Sequence, residues 1–423
     1  MLNLFERAFF YLLLALLISA CGASKKLTSV EKNNSLFGEQ QAENHFVGLL
    51  VVEPVSKDTL YAINSKKYFI PASTTKIVTL YTALKLLPER IPSLKYIAQN
   101  DTLYFEGTGD PTQLHPHFKD STVIRFLHKQ KNLVWHPNNY QGELLGPGWA
   151  WEDYQYYYQV ERGALPLYGN VAQLYQLNGL QVFPDYFKNS VIDLNYPKNR
   201  EIEANTFYYD SERRDTIAIP FRTDSTLTKK LLEASVQKPI ISKKAMPEGE
   251  KSVVFSIPSD SVYKRMMHES DNFLADQLLV LSSGMLSDTL DGKKARTYIL
   301  ENELADLKQP PRWVDGSGLS RYNLFTPESM VQVLNKLRKE IPQKRLFEFF
   351  VPNAISDTIT NQKVPYIYAK SGSVGNNYSL NGYLLTQSGK LLNFSFMNNH
   401  FTVPSSVVRE QVQDVLKQIH QAH

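Results

Sequence analysis

Ser73-Thr74-Thr75-Lys76 places a hydroxyl and an amine three residues apart, where an apolar pattern of helical spacing begins (Ile77, Leu80, Tyr81, Leu84, Leu87). On a helix that spacing puts both side chains on one face of the first turn, so Ser73 could act as a nucleophile and Lys76 as the base that takes its proton. A lysine is a base only when neutral. Bringing its pKa from ~10.4 to ~7 costs about 4.6 kcal/mol, which burial beside the positive end of a helix could supply. The backbone N–H of Ser73 can also point into such a site and help hold an oxyanion. The pattern alone is not specific, since Ser29/Lys32, Ser235/Lys238 and Ser261/Lys264 repeat it.

Two further clusters change its weight. Ser270-Asp271-Asn272 interrupts a helical pattern between Met267 and Leu274, where three small polar residues fit a cavity wall better than an apolar face. Lys370-Ser371-Gly372-Ser373 ends one strand-like segment and precedes another. A glycine there lets a ligand backbone lie along the strand as an added partner, with Lys370 offering charge and Ser371 a hydrogen bond. Ser379-Leu380-Asn381 looks similar to the second cluster but sits within a strand pattern and reads as sheet. His115-Pro116-His117 lacks the helix and glutamate of a metalloprotease, so it reads as a loop and no metal site is expected. Asp315-Gly316-Ser317-Gly318 lacks the frame of a nucleophile elbow and reads as a turn supporting the site. Trp149, Trp151 and the tyrosine-rich run 154–158 read as aromatic core packing rather than a sugar-stacking platform.

The elements that must position these residues follow from periodicity. Phe46 to Val55 and Thr59 to Ile63, joined through Ser56-Lys57-Asp58, predict an opening β-hairpin. A buried helix starts near Ser73 and stops at Pro88. From about Pro92 to Pro247 the texture is short strand-like pieces and turns, which predicts an inserted, mostly β module. Helical pattern resumes over Val262 to Leu281 and Lys293 to Leu307, and Thr326 with Pro327 marks another helix start. Strands at Pro365 to Lys370, Tyr378 to Leu385 and Leu391 to Met397 predict a meander, and Ser405 to Ile419 a last amphipathic helix. The simplest assembly is an α/β (α+β) fold in which the early hairpin joins the late meander as one five-stranded antiparallel sheet flanked by helices. That makes the main domain discontinuous, 45–92 and 255–423, with 93–254 inserted.

At 423 residues the chain exceeds what one core usually organises, which agrees with that division. A net charge of +4 from 46 basic and 42 acidic residues, without a basic block, argues against nucleic-acid binding. Arg7 precedes an apolar run of thirteen residues, Ala8 to Ala20, too few to span a bilayer, so 1–20 reads as a signal peptide. Leu17-Ile18-Ser19-Ala20-Cys21 resembles a lipobox, which would make Cys21, the only cysteine, the site of lipidation and 21–44 a tether.

Serine-x-x-lysine, serine-aspartate-asparagine and lysine-(threonine/serine)-glycine, in that order, resemble the signature of penicillin-binding proteins and serine β-lactamases. Pro71 to Lys76, Gly107-Thr108-Gly109-Asp110-Pro111, Gly146 to Trp151 and Asp315 to Arg321 are similar to the D-alanyl-D-alanine carboxypeptidase/endopeptidases of the type-4 penicillin-binding proteins. That family also carries a large insertion between its first two motifs, matching the 197 residues (270 minus 73) here. The resemblance implies a β-lactamase/transpeptidase-like fold and, together with the lipobox-like run ending at Cys21, a lipid-anchored enzyme of the cell envelope facing the periplasm. Its substrates would be peptidoglycan stem peptides ending in D-Ala-D-Ala or crosslinked D-Ala-diaminopimelate, with β-lactams as covalent inhibitors and no cofactor. It further implies that Ser73 is acylated, Lys76 takes its proton and Ser270 relays it. Asn272 would hold the peptide amide and orient Lys76, and Lys370 with Ser371 would bind the terminal carboxylate. Gly372 and Ser373 would line the substrate strand, with the N–H groups of Ser73 and Ser373 as oxyanion hole. Ser371 stands where most members have threonine, which keeps the hydroxyl. A serine β-lactamase is the nearest alternative, but Glu301-Asn302-Glu303-Leu304-Ala305 lacks the glutamate-x-x-leucine-asparagine pattern of class A. A non-catalytic peptidoglycan-binding lipoprotein is another, which would have no reason to keep nucleophile and base together.

Overall fold

The computed structural model describes residues 45–356 and 363–423. The expected signal peptide (1–20), the lipidation at Cys21 and the tether 21–44 lie outside the described residues. β1 (Phe46–Val52) and β2 (Thr59–Ile63) form the opening hairpin, and a 3-10 turn (Ala72–Thr75) runs directly into α1 (Lys76–Leu86). Residues 90–258 hold β3 (Arg90–Gln99), β4 (Thr102–Gly107), α2 (Thr122–His128), β5 (Asn132–Trp135), β6 (Val171–Gln176) and β7 (Leu180–Phe183). The short β8 (Val191–Ile192) and β9 (Phe207–Tyr208) follow, then β10 (Ile217–Pro220), α3 (Ser225–Val236), β11 (Ile241–Ser242) and β12 (Ser252–Pro258). Next come α4 (Ser259–His268), α5 (Asn272–Ser283), α6 (Gly292–Tyr298), α7 (Pro327–Glu340) and α8 (Gln343–Phe349). The chain closes with β13 (Val351–Ser356), β14 (Lys363–Val374), β15 (Asn377–Leu385), β16 (Leu391–Asn399) and α9 (Ser405–Ala422).

The two ends of the chain share one sheet, ordered β13-β14-β15-β16-β1-β2 and antiparallel throughout. β1 pairs with β16, Leu50 opposite Ser395, so the hairpin joins the meander as expected. β13 adds a sixth strand to the five expected. Pro352 hid it, because a proline breaks strand patterning, yet an edge strand tolerates the missing donor. β1 and β15 are buried on both faces, which only strands covered on two sides can be. α7 packs against β1 and β16, while the face bearing Tyr378 is covered by α9, whose Arg409 guanidinium lies 5.3 Å over that ring.

α1 is buried from Lys76 to Ala83 and α5 from Phe273 to Ser283, the mark of helices enclosed on all sides. They pack on each other within the larger core, with Ile77, Leu80, Leu274 and Leu278 fully buried. Within 90–258 a five-stranded sheet, β11-β5-β4-β3-β12, mixes parallel and antiparallel pairs, and a three-stranded one, β10-β6-β7, accompanies it. This stretch is less purely β than its texture predicts. α3 starts on an Asp224 cap that accepts from Leu227 N–H and buries Leu231, Leu232 and Val236 in a second core. Its polar remainder diluted the apolar stripe below the level at which period alone identifies a helix.

Thr326 caps α7 as its spacing predicts: its Oγ1 accepts from Ser329 N–H, and Ser329 Oγ accepts from Thr326 N–H. Thr326→Ala should therefore lower stability by about 1 kcal/mol, read as a reduced urea midpoint with unchanged slope.

Candidate active site

Three distant stretches meet because four backbone devices let them. Ala72 takes a left-handed φ of 50°, turning the chain so that Ser73 follows Pro71 into the 3-10 turn. Gly318, at φ 81°, passes so close that a Cβ there would stand 1.8 Å from the Ala72 carbonyl oxygen. Gly372 of β14 lies against the same turn, where a Cβ would be 2.7 Å from both Pro71 O and Ser73 N. Between α4 and α5 the Ser270 backbone is left-handed (φ 56°), and Asp271 restarts the helix by accepting from Leu274 N–H at 3.0 Å. The expected single helical pattern over 262–281 is thus two helices with the polar triplet at the break.

Lys76 is fully buried and its Nζ has three oxygen neighbours: Ser73 Oγ at 3.0 Å, Asn272 Oδ1 at 2.7 Å and the Ser317 carbonyl at 2.7 Å. Burial brings its ammonium down to about 8, against the opposing pull of Asp276, Asp315 and Asp271. That shift is worth roughly 3 kcal/mol and leaves a substantial neutral fraction near pH 8. In the neutral amine the contact with Ser73 reverses, and the hydroxyl donates to the nitrogen. Asn272 is itself held, its Nδ2 donating to the Tyr158 carbonyl at 3.0 Å.

The geometry joins Ser73, Lys76 and Asn272 directly and sets Ser270 and Ser373 on the wall of the same cleft, a space of about 390 Å³. Lys370 is almost wholly buried beside it, its Nζ donating to the Ser371 carbonyl at 2.8 Å. Burial, with the Lys76 charge adding to it, takes Lys370 down to about 7. Lys370 and Gly372 share the inner face of β14, opposite Asn381 and Ser379, while Ser371 and Ser373 are exposed on the alternate positions. Ser373 Oγ accepts from Arg409 at 3.2 Å. The N–H of Ser73 lies in the first turn, where the helix offers no acceptor. Ser379 and Asn381 belong to the sheet, as read from their pattern.

Asp315 lies in the turn read as supporting the site, whereas Asp276 and Gln277 escaped the sequence reading. Asp315 is buried and accepts from Gly318 N–H, Ser320 N–H, the Asn323 amide and the Trp149 indole at 2.7–2.9 Å. It thereby shapes the turn whose Ser317 carbonyl meets Lys76. Asp276 accepts from Gly316 N–H at 2.9 Å and lies 3.6 Å from Arg162, and burial followed by Asp315 raises its pKa. A carboxylate four residues after Asn272 in the apolar run Phe273–Leu281 was a usable signal. Gln277 bonds Gly109 O, Gly163 O and Gly163 N–H, tying α5 to the Gly107–Pro111 segment. The aromatic run is corrected: Tyr154 is buried, but Trp151 and Tyr157 are each more than two-thirds exposed, and Tyr157 and Tyr158 line the cleft. Short-range composition could not show that this segment wraps the cleft rather than filling a core. Asp315→Ala would remove the shared acceptor of four donors, two of them buried backbone N–H groups, and is expected to lower stability by about 3 kcal/mol. Urea unfolding measures it, with Asp315→Asn falling between the two.

A family model described as the D-Ala-D-Ala carboxypeptidase 3 (S13) family matches residues 32–179 and 220–421. The chain is 30% identical over 160 residues to the D-alanyl-D-alanine carboxypeptidase DacB of Haemophilus influenzae, covering 35% of this chain and 33% of that one. It therefore spans about a third of the length of that curated relative. In structure it resembles penicillin binding protein 4 (dacB) from H. influenzae, with a TM-score of 0.70 at 19% identity over 93% of this chain and 98% of that one. It also resembles a predatory peptidoglycan endopeptidase from Bdellovibrio bacteriovorus, with a TM-score of 0.53 at 17% identity over 89% and 92%. At such identities the two structural likenesses establish the fold, while the family match runs through all three polar stretches gathered at Ser73. The chain belongs to the D-Ala-D-Ala carboxypeptidase 3 (S13) family.

Proposed function

We propose that the protein is a penicillin-sensitive serine D,D-peptidase, a D-alanyl-D-alanine carboxypeptidase or D,D-endopeptidase, that acts on peptidoglycan peptides. The observation that carries this reading is the buried Lys76 amine bonded at once to the Ser73 hydroxyl and the Asn272 carbonyl oxygen. Ser73 Oγ attacks the carbonyl carbon of the terminal D-Ala-D-Ala bond as Lys76 takes its proton. The N–H groups of Ser73 and Ser373 receive the oxyanion, a service worth roughly 3 kcal/mol per donor. The C–N bond then breaks, and the leaving amine takes the proton through Ser270. Water attacks the resulting ester, releasing the shortened peptide and restoring the hydroxyl. Lys370 as a cation, with Ser371, holds the substrate's terminal carboxylate. Asn272 holds the peptide amide of the acylating residue.

The same proposal divides the chain into a discontinuous peptidase domain, 45–92 and 255–423, bearing the insertion 93–254. It also places the protein in the cell envelope, anchored by lipid on Cys21 and facing the periplasm, with a signal peptide removed before that residue.

Labelling with a fluorescent penicillin tests the nucleophile: a covalent adduct is expected on the wild type and none on Ser73→Ala. Label that persists in the variant would contradict the assignment. The two lysines set the pH dependence. Raising pH through the Lys76 value near 8 frees the base, whereas raising it through the Lys370 value near 7 removes the charge that holds the substrate. A bell-shaped kcat/KM profile with its maximum between about pH 7 and 8 is expected for a D-Ala-D-Ala peptide, the two limbs belonging to the coupled pair.

A further inference from the structure

Strand alternation divides the third polar stretch between two faces of the sheet. Lys370 and Gly372 lie opposite Asn381 and Ser379 on the inner face, where Lys370 is almost wholly buried and its Nζ donates to the Ser371 carbonyl. Ser371 and Ser373 lie opposite Leu380 and Tyr378 on the outer face, and both serines are exposed. A carboxylate that accepts from the Ser371 hydroxyl therefore rests on a face that the Lys370 side chain does not share. The cation that does share it is Arg409 of α9. Its guanidinium stands 5.3 Å over the Tyr378 ring, and its Nη2 donates to Ser373 Oγ at 3.2 Å.

A guanidinium carries five N–H donors. The ring and the Ser373 hydroxyl hold the plane of this one, and because Arg409 is exposed, its other N–H groups are open to a ligand. Among the described residues no carboxylate pairs with Arg409. The charges nearby also favour an anion on this side. Gly375 lies against Arg321, whose Nη2 would be 2.6 Å from a Cβ there, whereas the cleft carboxylates Asp153 and Glu269 come from the turn Trp151–Gln155 and the residue after α4. We propose that Arg409 is a specificity-determining residue, receiving with the Ser371 and Ser373 hydroxyls the free carboxylate on the residue whose amine is expelled. A planar guanidinium matches a carboxylate in two parallel bonds, which a point charge does not, and Lys370 adds its charge from beneath the strand. The inference rests on the peptidase reading and adds to it the group that selects a free carboxylate over an amide.

The test compares Nα,Nε-diacetyl-L-lysyl-D-alanyl-D-alanine with its C-terminal carboxamide, using the full chain. The wild type is expected to favour the acid in kcat/KM. Arg409→Gln should raise KM for the acid about tenfold with kcat little altered, and shrink the preference by the same factor. Arg409→Lys, which keeps the charge and loses the fork, should fall between. An Arg409 that merely seats α9 on the sheet would, on removal, depress acid and amide alike. An acid-to-amide ratio unchanged in Arg409→Gln would therefore overturn the inference alone, whether or not both rates fall. If the amide is turned over too slowly to compare, the acid decides: the rise in KM supports the inference and an unchanged KM contradicts it. Should Arg409→Gln fail to fold, Arg409→Lys decides in the same way, a ratio equal to that of the wild type contradicting the inference. No turnover of either peptide by the wild type would overturn the peptidase reading, and the inference with it.

Discussion

A primary amine sealed from solvent between a hydroxyl and an amide oxygen is the constraint on which the rest of this molecule depends. Burial disfavours the Lys76 ammonium, while Asp276, Asp315 and Asp271 favour it, and the balance settles at about 8 instead of at either extreme. Stronger carboxylate influence would lock the charge in place and remove the base proposed for Ser73. Without any, so deep a lysine would be neutral and less well held. The carboxylates are themselves restrained, Asp315 by four N–H donors and Asp276 by Gly316 N–H and Arg162.

The architecture serves that balance by keeping the three contributors on rigid elements. Ser73 and Lys76 sit where a 3-10 turn enters α1, Asn272 opens α5, and Lys370 with Gly372 lies on β14. α1 and α5 are enclosed within one core, so their relative position is fixed by packing. β14 in turn belongs to a sheet that the amino-terminal hairpin closes through β1 and β16. Backbone approach is then limited by glycine: Gly372 and Gly318 both stand where any side chain would collide with the turn that carries Ser73.

Much of this was legible in the chain because it leaves local marks. Ser270-Asp271-Asn272 is a polar break in an apolar helical pattern, Thr326-Pro327 a complete start signal, and the hairpin and meander are short apolar runs separated by turns. What stayed hidden depends on partners far apart in sequence. Trp149 and Asp315 are 166 residues apart, Gly163 and Gln277 are 114 apart, and no spacing rule connects them. β13 escaped because an edge strand needs neither alternation nor a full set of donors. Tyr157 and Trp151 misled because aromatic content speaks for burial on average, whereas here a segment wrapped around the cleft exposes them.

The most direct measurement is the ionisation of Lys76 itself, followed by NMR on lysine labelled at Cε and Nζ, with Lys76→Met and Lys370→Met used to assign the two buried signals. The expected result is a Lys76 resonance titrating with a midpoint near 8 and shifting downward in Asp315→Asn, where a favourable negative charge has been removed. A midpoint at the ordinary lysine value of about 10.4 would contradict the assignment of Lys76 as the base that takes the proton from Ser73.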